Sequence, residues 1–93
     1  MARDAIHVLL ATDMALDKLG ARGISAEEAE QLLRNRHATV RNPRGGKRRL
    51  LIGRTNGGRT LTLVVEATVD PTTWLIVTGW ESTQAERKIL ESR

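Results

Sequence analysis

The chain has 93 residues, 40% of them apolar and 28% charged, with no cysteine, so it is read as one domain over 1–93, globular and not disordered, without disulfide or thiolate chemistry. Two Trp with no Phe or Tyr leave Leu, Ile, Val and Ala to build the core. The formal charge of +4 hides an asymmetry: Arg34, Arg36, Arg41, Arg44, Lys47, Arg48, Arg49, Arg54 and Arg59 follow one another with no acid between them, a run that points to a polyanion, RNA first, over a merely solvated face.

Ile6 to Leu10 fits a first strand, and a helix from Arg3 onward fits the same letters. The apolar run Ile6 to Ala11 is too short to span a bilayer and follows no basic leader pattern, so a cytoplasmic protein without a membrane partner is expected. Thr12 and Asp13 can cap a helix that ends at Gly20. Ser25 with Glu28 three residues later is a capping box, opening a helix to about Asn35 that buries Ala29, Leu32 and Leu33. His37 to Asn42 is a possible strand, and Pro43 to Gly46 a loop.

Lys47–Thr55 and Gly58–Val69 flank Asn56-Gly57, a strong hairpin signal. A two-residue turn there sets Ile52 against Leu61 and Leu50 against Leu63. Leu50, Ile52, Leu61, Leu63 and Val65 then share the core face, while Arg49, Thr60, Thr62 and Glu66 share the other with Leu51 and Val64. A three-residue turn would set Ile52 against Thr62 and mix polar with apolar, so the two-residue register is expected. Asp70 to Thr73 is a turn. Trp74 to Trp80 is a strand apolar on both faces, hence central or covered. Thr83 and Glu86 make a second capping box, opening a helix through Ile89 and Leu90. The expected class is α+β: an antiparallel sheet of four to five strands, two N-terminal helices and one C-terminal helix, with the helices on one face of the sheet.

Several residues resemble a known family. Lys18-Leu19, then Arg22-Gly23-Ile24-Ser25 and Glu27-Glu28-Ala29, are similar to the two-helix opening of the BrnT-type toxins. So are Arg49 to Thr55, Gly58-Arg59 leading to Val65-Glu66, Ile76-Val77-Thr78, and Thr83 with Glu86-Arg87. The likeness covers roughly residues 12 to 90. It implies a RelE-like ribonuclease fold, RNA cleavage in the cell, and a cognate antitoxin partner, with a toxin–antitoxin heterotetramer as the implied assembly. Where many relatives carry Arg just after the final strand, this chain has Trp80.

Metal-free RNA cleavage needs a base for the 2′-hydroxyl, a cation at the phosphate and an acid for the leaving oxygen. Glu66 is the only acid between Glu30 and Asp70. In the expected register it is a diagonal neighbour of Arg49, which makes it either a general base beside a phosphate clamp or one half of an ion pair worth about 0.2–1 kcal/mol. Arg87 is the third catalytic candidate, or else a solvated helix residue. Arg41, Lys47, Arg48, Arg54 and Arg59 are the candidate phosphate contacts, and Trp80 either stacks a base or packs in the core. His7 and His37 are far apart with no carboxylate at ligand spacing, so neither metal nor cofactor is expected. No phosphate-cradling loop of the P-loop type occurs. The readings are an RNA-cleaving toxin, a non-catalytic RNA-binding module on the same fold, and a domain whose basic strip meets an acidic protein.

Overall fold

A computed structural model describes residues 6–44 and 46–92. The elements run β1 (Val8–Ala11), α1 (Asp13–Ala21), α2 (Ala26–Arg34), β2 (His37–Arg41), β3 (Arg48–Arg54), β4 (Thr60–Ala67), β5 (Thr73–Glu81) and α3 (Gln84–Glu91). The fold is α+β, with two N-terminal helices and one C-terminal helix. A helix starting at Arg3 would begin outside the described residues, as does Gly45 of the expected loop; Val8–Ala11 is a strand.

The helix starts obey local chemistry. The Thr12 hydroxyl accepts from the Ala15 N–H at 3.1 Å. Both expected capping boxes are present, at Ser25–Glu28 and Thr83–Glu86. The stop of α1 is displaced, however. The helix runs one residue past Gly20, and the left-handed residue that ends it is Gly23, φ +72°. There the Ile24 N–H turns back to the Leu19 carbonyl at 2.9 Å.

The five strands form one sheet in the order β1-β5-β4-β3-β2. The meander from β2 to β5 is antiparallel, but β1 lies on the outer edge of β5 and runs parallel to it. The sheet is therefore mixed, and not antiparallel throughout as expected. Which edge takes the first strand, and in which direction, depends on contacts across the whole chain and leaves no local trace.

The expected hairpin register is wrong. The turn holds three residues, Asn56-Gly57-Gly58: Arg54 pairs with Thr60, and the Thr55 N–H donates to the Arg59 carbonyl at 2.8 Å. Gly58, at φ +92°, supplies the left-handed residue such a turn needs. Helix α2 holds the turn in place. The Gln31 side chain accepts from the Asn56 N–H at 2.9 Å, and Asn35 Nδ2 donates to Asn56 Oδ1 at 3.0 Å and to the Arg54 carbonyl at 2.8 Å. Ile52 thus faces Thr62, Leu51 faces Leu63 and Leu50 faces Val64. Thr62 is fully buried opposite Ile52, and not on a polar face as expected.

Polar and apolar residues do not sort to opposite faces here because both faces of the sheet are covered. On one side α1 and α2 pack Leu19, Leu32, Ala29 and Ile24 against Leu51, Leu61, Leu63, Val65, Trp74 and Ile76. On the other, α3 packs Leu90 and Ile89 against Ile52, Ala38 and Val40. The helices do not share one face. Close approach on the first side needs two glycines: a Cβ on Gly79 would meet Leu63 Cδ2 at 2.6 Å and Leu19 Cδ2 at 3.0 Å, and one on Gly53 would meet Leu32 Cβ at 3.2 Å. A bulge completes the pattern. Val64 pairs with Thr78 but Val65 with Ile76, so Val77 is an extra residue in β5. Upstream of it, Trp74 and Ile76 point to the α1–α2 side; downstream, Thr78 and Trp80 point to the α3 side.

Candidate nucleic-acid interface

Helix α3 covers the β2–β3 part of its face and leaves the β4–β5 part open. Between them runs a groove of about 440 Å³ whose walls include Arg44, Arg48, Leu50, Val64, Thr78 and Trp80. It continues into a shallower hollow bounded by Asn42, Arg44, Lys47, Arg48 and Glu66. Aliphatic strand residues form the floor, and cations from the β2–β3 loop and the start of β3 form the rim.

On this open face Arg48 Nε donates to Glu66 Oε1 at 3.0 Å, with the two side chains 49% and 39% exposed. They are direct cross-strand partners. The cation beside Glu66 is therefore Arg48 and not Arg49. Strand residues alternate faces, so the one-residue change of register sends Arg49 through the sheet. It lies opposite Val65 on the α1–α2 side, where its guanidinium donates to the carbonyls of Gly46 and Arg48.

The other candidates divide. Lys47 stands in the hollow, at the sheet end. Arg41 is exposed at the end of β2, opposite Arg49 and so across the sheet from Glu66. Arg54 is exposed beside the hairpin turn, at the other end of β3. Arg59 is tied into the fold: Nη1 reaches both Glu28 carboxylate oxygens, at 3.1 and 3.0 Å, and the Gly23 carbonyl at 2.9 Å. Arg87 is exposed on α3 and is not among the groove residues. Of the nine candidates, the open face brings together Lys47, Arg48, Glu66 and Trp80.

Two groove residues were not foreseen as site residues. Arg44 was hidden in a turn, with no periodicity to assign it a face. Glu86 caps α3 as expected, but its Oε1 does more. It accepts from the Thr83 N–H at 2.8 Å, from the Trp80 indole at 3.0 Å and from the Thr62 hydroxyl at 3.0 Å. Thr62 has one proton and a carboxylate only accepts, so Ser82, 2.8 Å away, must donate to Thr62. Every member of this buried chain is satisfied, and it fixes the indole of Trp80 at the groove wall. The nearest thing to a sequence signal is a Thr on the same strand face as Ile52 with an acid in the helix to come.

Three carboxyls sit below their ordinary range. Burial pushes Glu86 up, but the Thr83 N–H and the Trp80 and Thr62 donors outweigh it. Glu28 is lowered chiefly by the Ser25 N–H, with Arg59 helping, and Asp70 by the N–H and hydroxyl of Thr72. A depressed carboxyl contributes stability above its unfolded value, and that contribution is lost as pH falls through the folded one. Thermal melts should thus show no loss from these groups between neutral pH and about 5, then a fall in Tm below about 4. The Glu86→Gln variant should fall less steeply. An equal slope in variant and parent would mean that Glu86 does not carry its share.

Among the described residues no group of three His, Cys, Asp or Glu is placed to hold a metal ion, and no helix is long and apolar enough to cross a membrane. No protein-family model, curated protein or solved structure matches the chain.

Proposed function

We propose that this chain binds single-stranded RNA across the open α3-side face and cleaves it, acting in the cytoplasm as the toxin of a toxin–antitoxin pair. The observation that carries this reading is the Arg48–Glu66 pair, a carboxylate and a guanidinium 3.0 Å apart on the exposed side of the sheet. Around it lie Arg44 and Lys47, with no other acid lining the hollow. Glu66 takes the proton of a 2′-hydroxyl, and that oxygen attacks the adjacent phosphorus. Arg48 stabilises the charge that grows on the phosphoryl oxygens. The 5′-oxygen leaves with a proton from water, because an arginine does not give one up. Trp80 offers a ring at the groove wall for a base to stack on. The toxin role and its antitoxin partner rest on the BrnT-type resemblance, and an antitoxin that covers this rim needs acidic groups.

A second reading, RNA binding without cleavage, is favoured by the exposure of the same pair. Two half-exposed side chains in direct cross-strand register are also what an ordinary ion pair looks like.

Binding is tested by salt titration. Three phosphate contacts, at Arg44, Lys47 and Arg48, give log K a slope of about −2 against log salt for a short single strand, at roughly −0.7 per contact. Arg48→Glu should weaken binding and flatten the slope. An affinity that ignores salt would point to a protein partner held by apolar contacts. Expression of the chain alone in a bacterium, with growth and bulk RNA followed, tests cleavage.

A further inference from the structure

We infer that the groove between α3 and the open strands is a nucleobase pocket selective for guanine, with Trp80 as its stacking surface and Glu86 as the reader of the base's donor edge. This rests on the RNA-binding reading above and names the base that lies beside the scissile phosphate. The groove and the hollow that holds the Arg48–Glu66 pair share Arg44 and Arg48, so a base seated in the one has its backbone at the other.

Glu86 lines the groove and is half-buried. Its three side-chain donors, the Thr83 N–H, the Trp80 indole and the Thr62 hydroxyl, all fall on Oε1, and Oε2 receives none from the described residues. Those donors outweigh its burial and keep the carboxyl ionised at neutral pH. An ionised carboxylate only accepts, so the second oxygen suits a donor from a ligand. The same contact places the ring. The Trp80 indole is held to Oε1 at 3.0 Å, and a base stacked on it presents an edge to the same carboxylate. One side chain thus fixes the stacking surface and reads what lies on it.

The opposite chemistry comes from the β2–β3 loop. Asn42 lines the groove, and its Oδ1 accepts from the Arg44 N–H at 3.0 Å. That contact orients the amide and leaves its NH2 group as a donor, alongside the guanidinium of Arg44. The α3 side of the groove therefore offers an acceptor and the loop side offers donors. Guanine fits this division. Its pairing edge carries two adjacent donors, N1–H and the 2-amino group, and the lone pairs of one carboxylate oxygen take both. Its O6 and N7 are acceptors that an arginine recognises. Adenine and cytosine carry one amino donor next to a ring nitrogen that only accepts, and uracil has one N–H between two carbonyls. Each of these three sets a lone pair against the carboxylate and leaves an acceptor unmet.

The test uses the full chain and 2′-O-methyl oligouridylates, which cannot be cleaved through the 2′-oxygen. They are about six nucleotides long, within ordinary single-strand site sizes, and carry a single central G, A, C or U. Affinity is measured by fluorescence anisotropy at fixed salt. The guanine oligomer should bind roughly 5- to 150-fold more tightly than the other three, the discrimination of a bidentate base contact. Hypoxanthine in place of guanine, which removes only the 2-amino group, should cost roughly three- to tenfold. In Glu86→Gln the three donors at Oε1 hold the amide oxygen there, so the NH2 group stands where Oε2 was. The preference for guanine should then vanish, and adenine and cytosine, whose ring nitrogens accept from that amide, should bind at least as tightly as guanine. A parent protein without base preference, hypoxanthine held as tightly as guanine, or a Glu86→Gln protein that keeps the preference would overturn the guanine pocket. So would an equal loss for all four bases in Glu86→Gln, because Glu86 would then act only by positioning Trp80. The hypoxanthine comparison needs no variant and decides the matter if Glu86→Gln unfolds. Each of these results leaves the open-face reading intact, whereas absence of binding by every oligomer would overturn both.

Discussion

Replacing Glu66 with Gln should abolish RNA cleavage while leaving the protein folded and able to bind RNA. A positioned general base contributes roughly 10²–10⁴-fold in rate, so the loss should be plain in a gel assay. Glutamine keeps the shape and the hydrogen-bonding oxygen but cannot take the 2′-proton. Affinity should hold or rise, because a negative charge leaves a surface that meets phosphates. Arg48→Ala should behave differently and lose binding together with cleavage, since Arg48 is both the partner of Glu66 and a phosphate contact. Arg49→Ala, on the other face, should leave cleavage of short RNA intact. If Glu66 is only one half of an ion pair, its removal costs under about 1 kcal/mol of stability and cleavage persists. A Glu66→Gln protein that still cuts RNA would end the catalytic assignment and leave the binding reading.

The largest structural effect should come from Glu86→Ala. This carboxylate oxygen takes three donors, and among the described residues it is the acceptor for both the Trp80 indole and the proton of buried Thr62. The Thr83 N–H can turn to water once the carboxylate is gone. The hydroxyl of Thr62, fully buried between strands, cannot do so easily. A loss of about 2–4 kcal/mol follows from hydrogen bonds to a charged group at roughly 1.5–3 kcal/mol each, part of it recovered by solvent. For a chain of this size that is a fall in Tm of roughly 10 °C or more. RNA affinity should fall as well, because the indole of Trp80 loses the contact that orients it. Thr62→Val at the same time should recover part of the stability, since the pair of changes removes a buried hydroxyl together with its acceptor. A Glu86→Ala protein as stable as the parent would show that the chain from Ser82 to Glu86 carries no weight.

The legible parts of this fold were the local ones. Ser25–Glu28 and Thr83–Glu86 announce helix starts because donor and acceptor lie three residues apart in one stretch of chain. The hairpin was also visible as a hairpin, but its register was not. Asn56-Gly57-Gly58 satisfies a two-residue and a three-residue turn alike, and the choice is made by Gln31 and Asn35, reaching from α2. The apolar pattern then misled, since it assumed one covered face. With both faces covered, Thr62 could be buried against an acceptor lying 24 residues further along the chain. The candidate site inherited that error: one step of register exchanged Arg48 for Arg49 beside Glu66. Composition shows where the basic residues cluster in the chain, but it does not say that Arg59 is spent on Glu28 or that Arg44 belongs to the groove rim.

The extra residue at Val77 has an optical consequence. Because the strand changes phase there, the protein's two tryptophans, both at even positions of one strand, end on opposite sides of the sheet. Trp74 sits in the core at 6% exposure, while Trp80 stands at the groove wall, half-buried beside a carboxylate. With no tyrosine or phenylalanine in the chain, all intrinsic emission comes from these two rings. One is shielded until the fold opens, and the other looks into the groove where a nucleobase would quench it. Loss of structure and occupancy of the open face are thus reported by different chromophores.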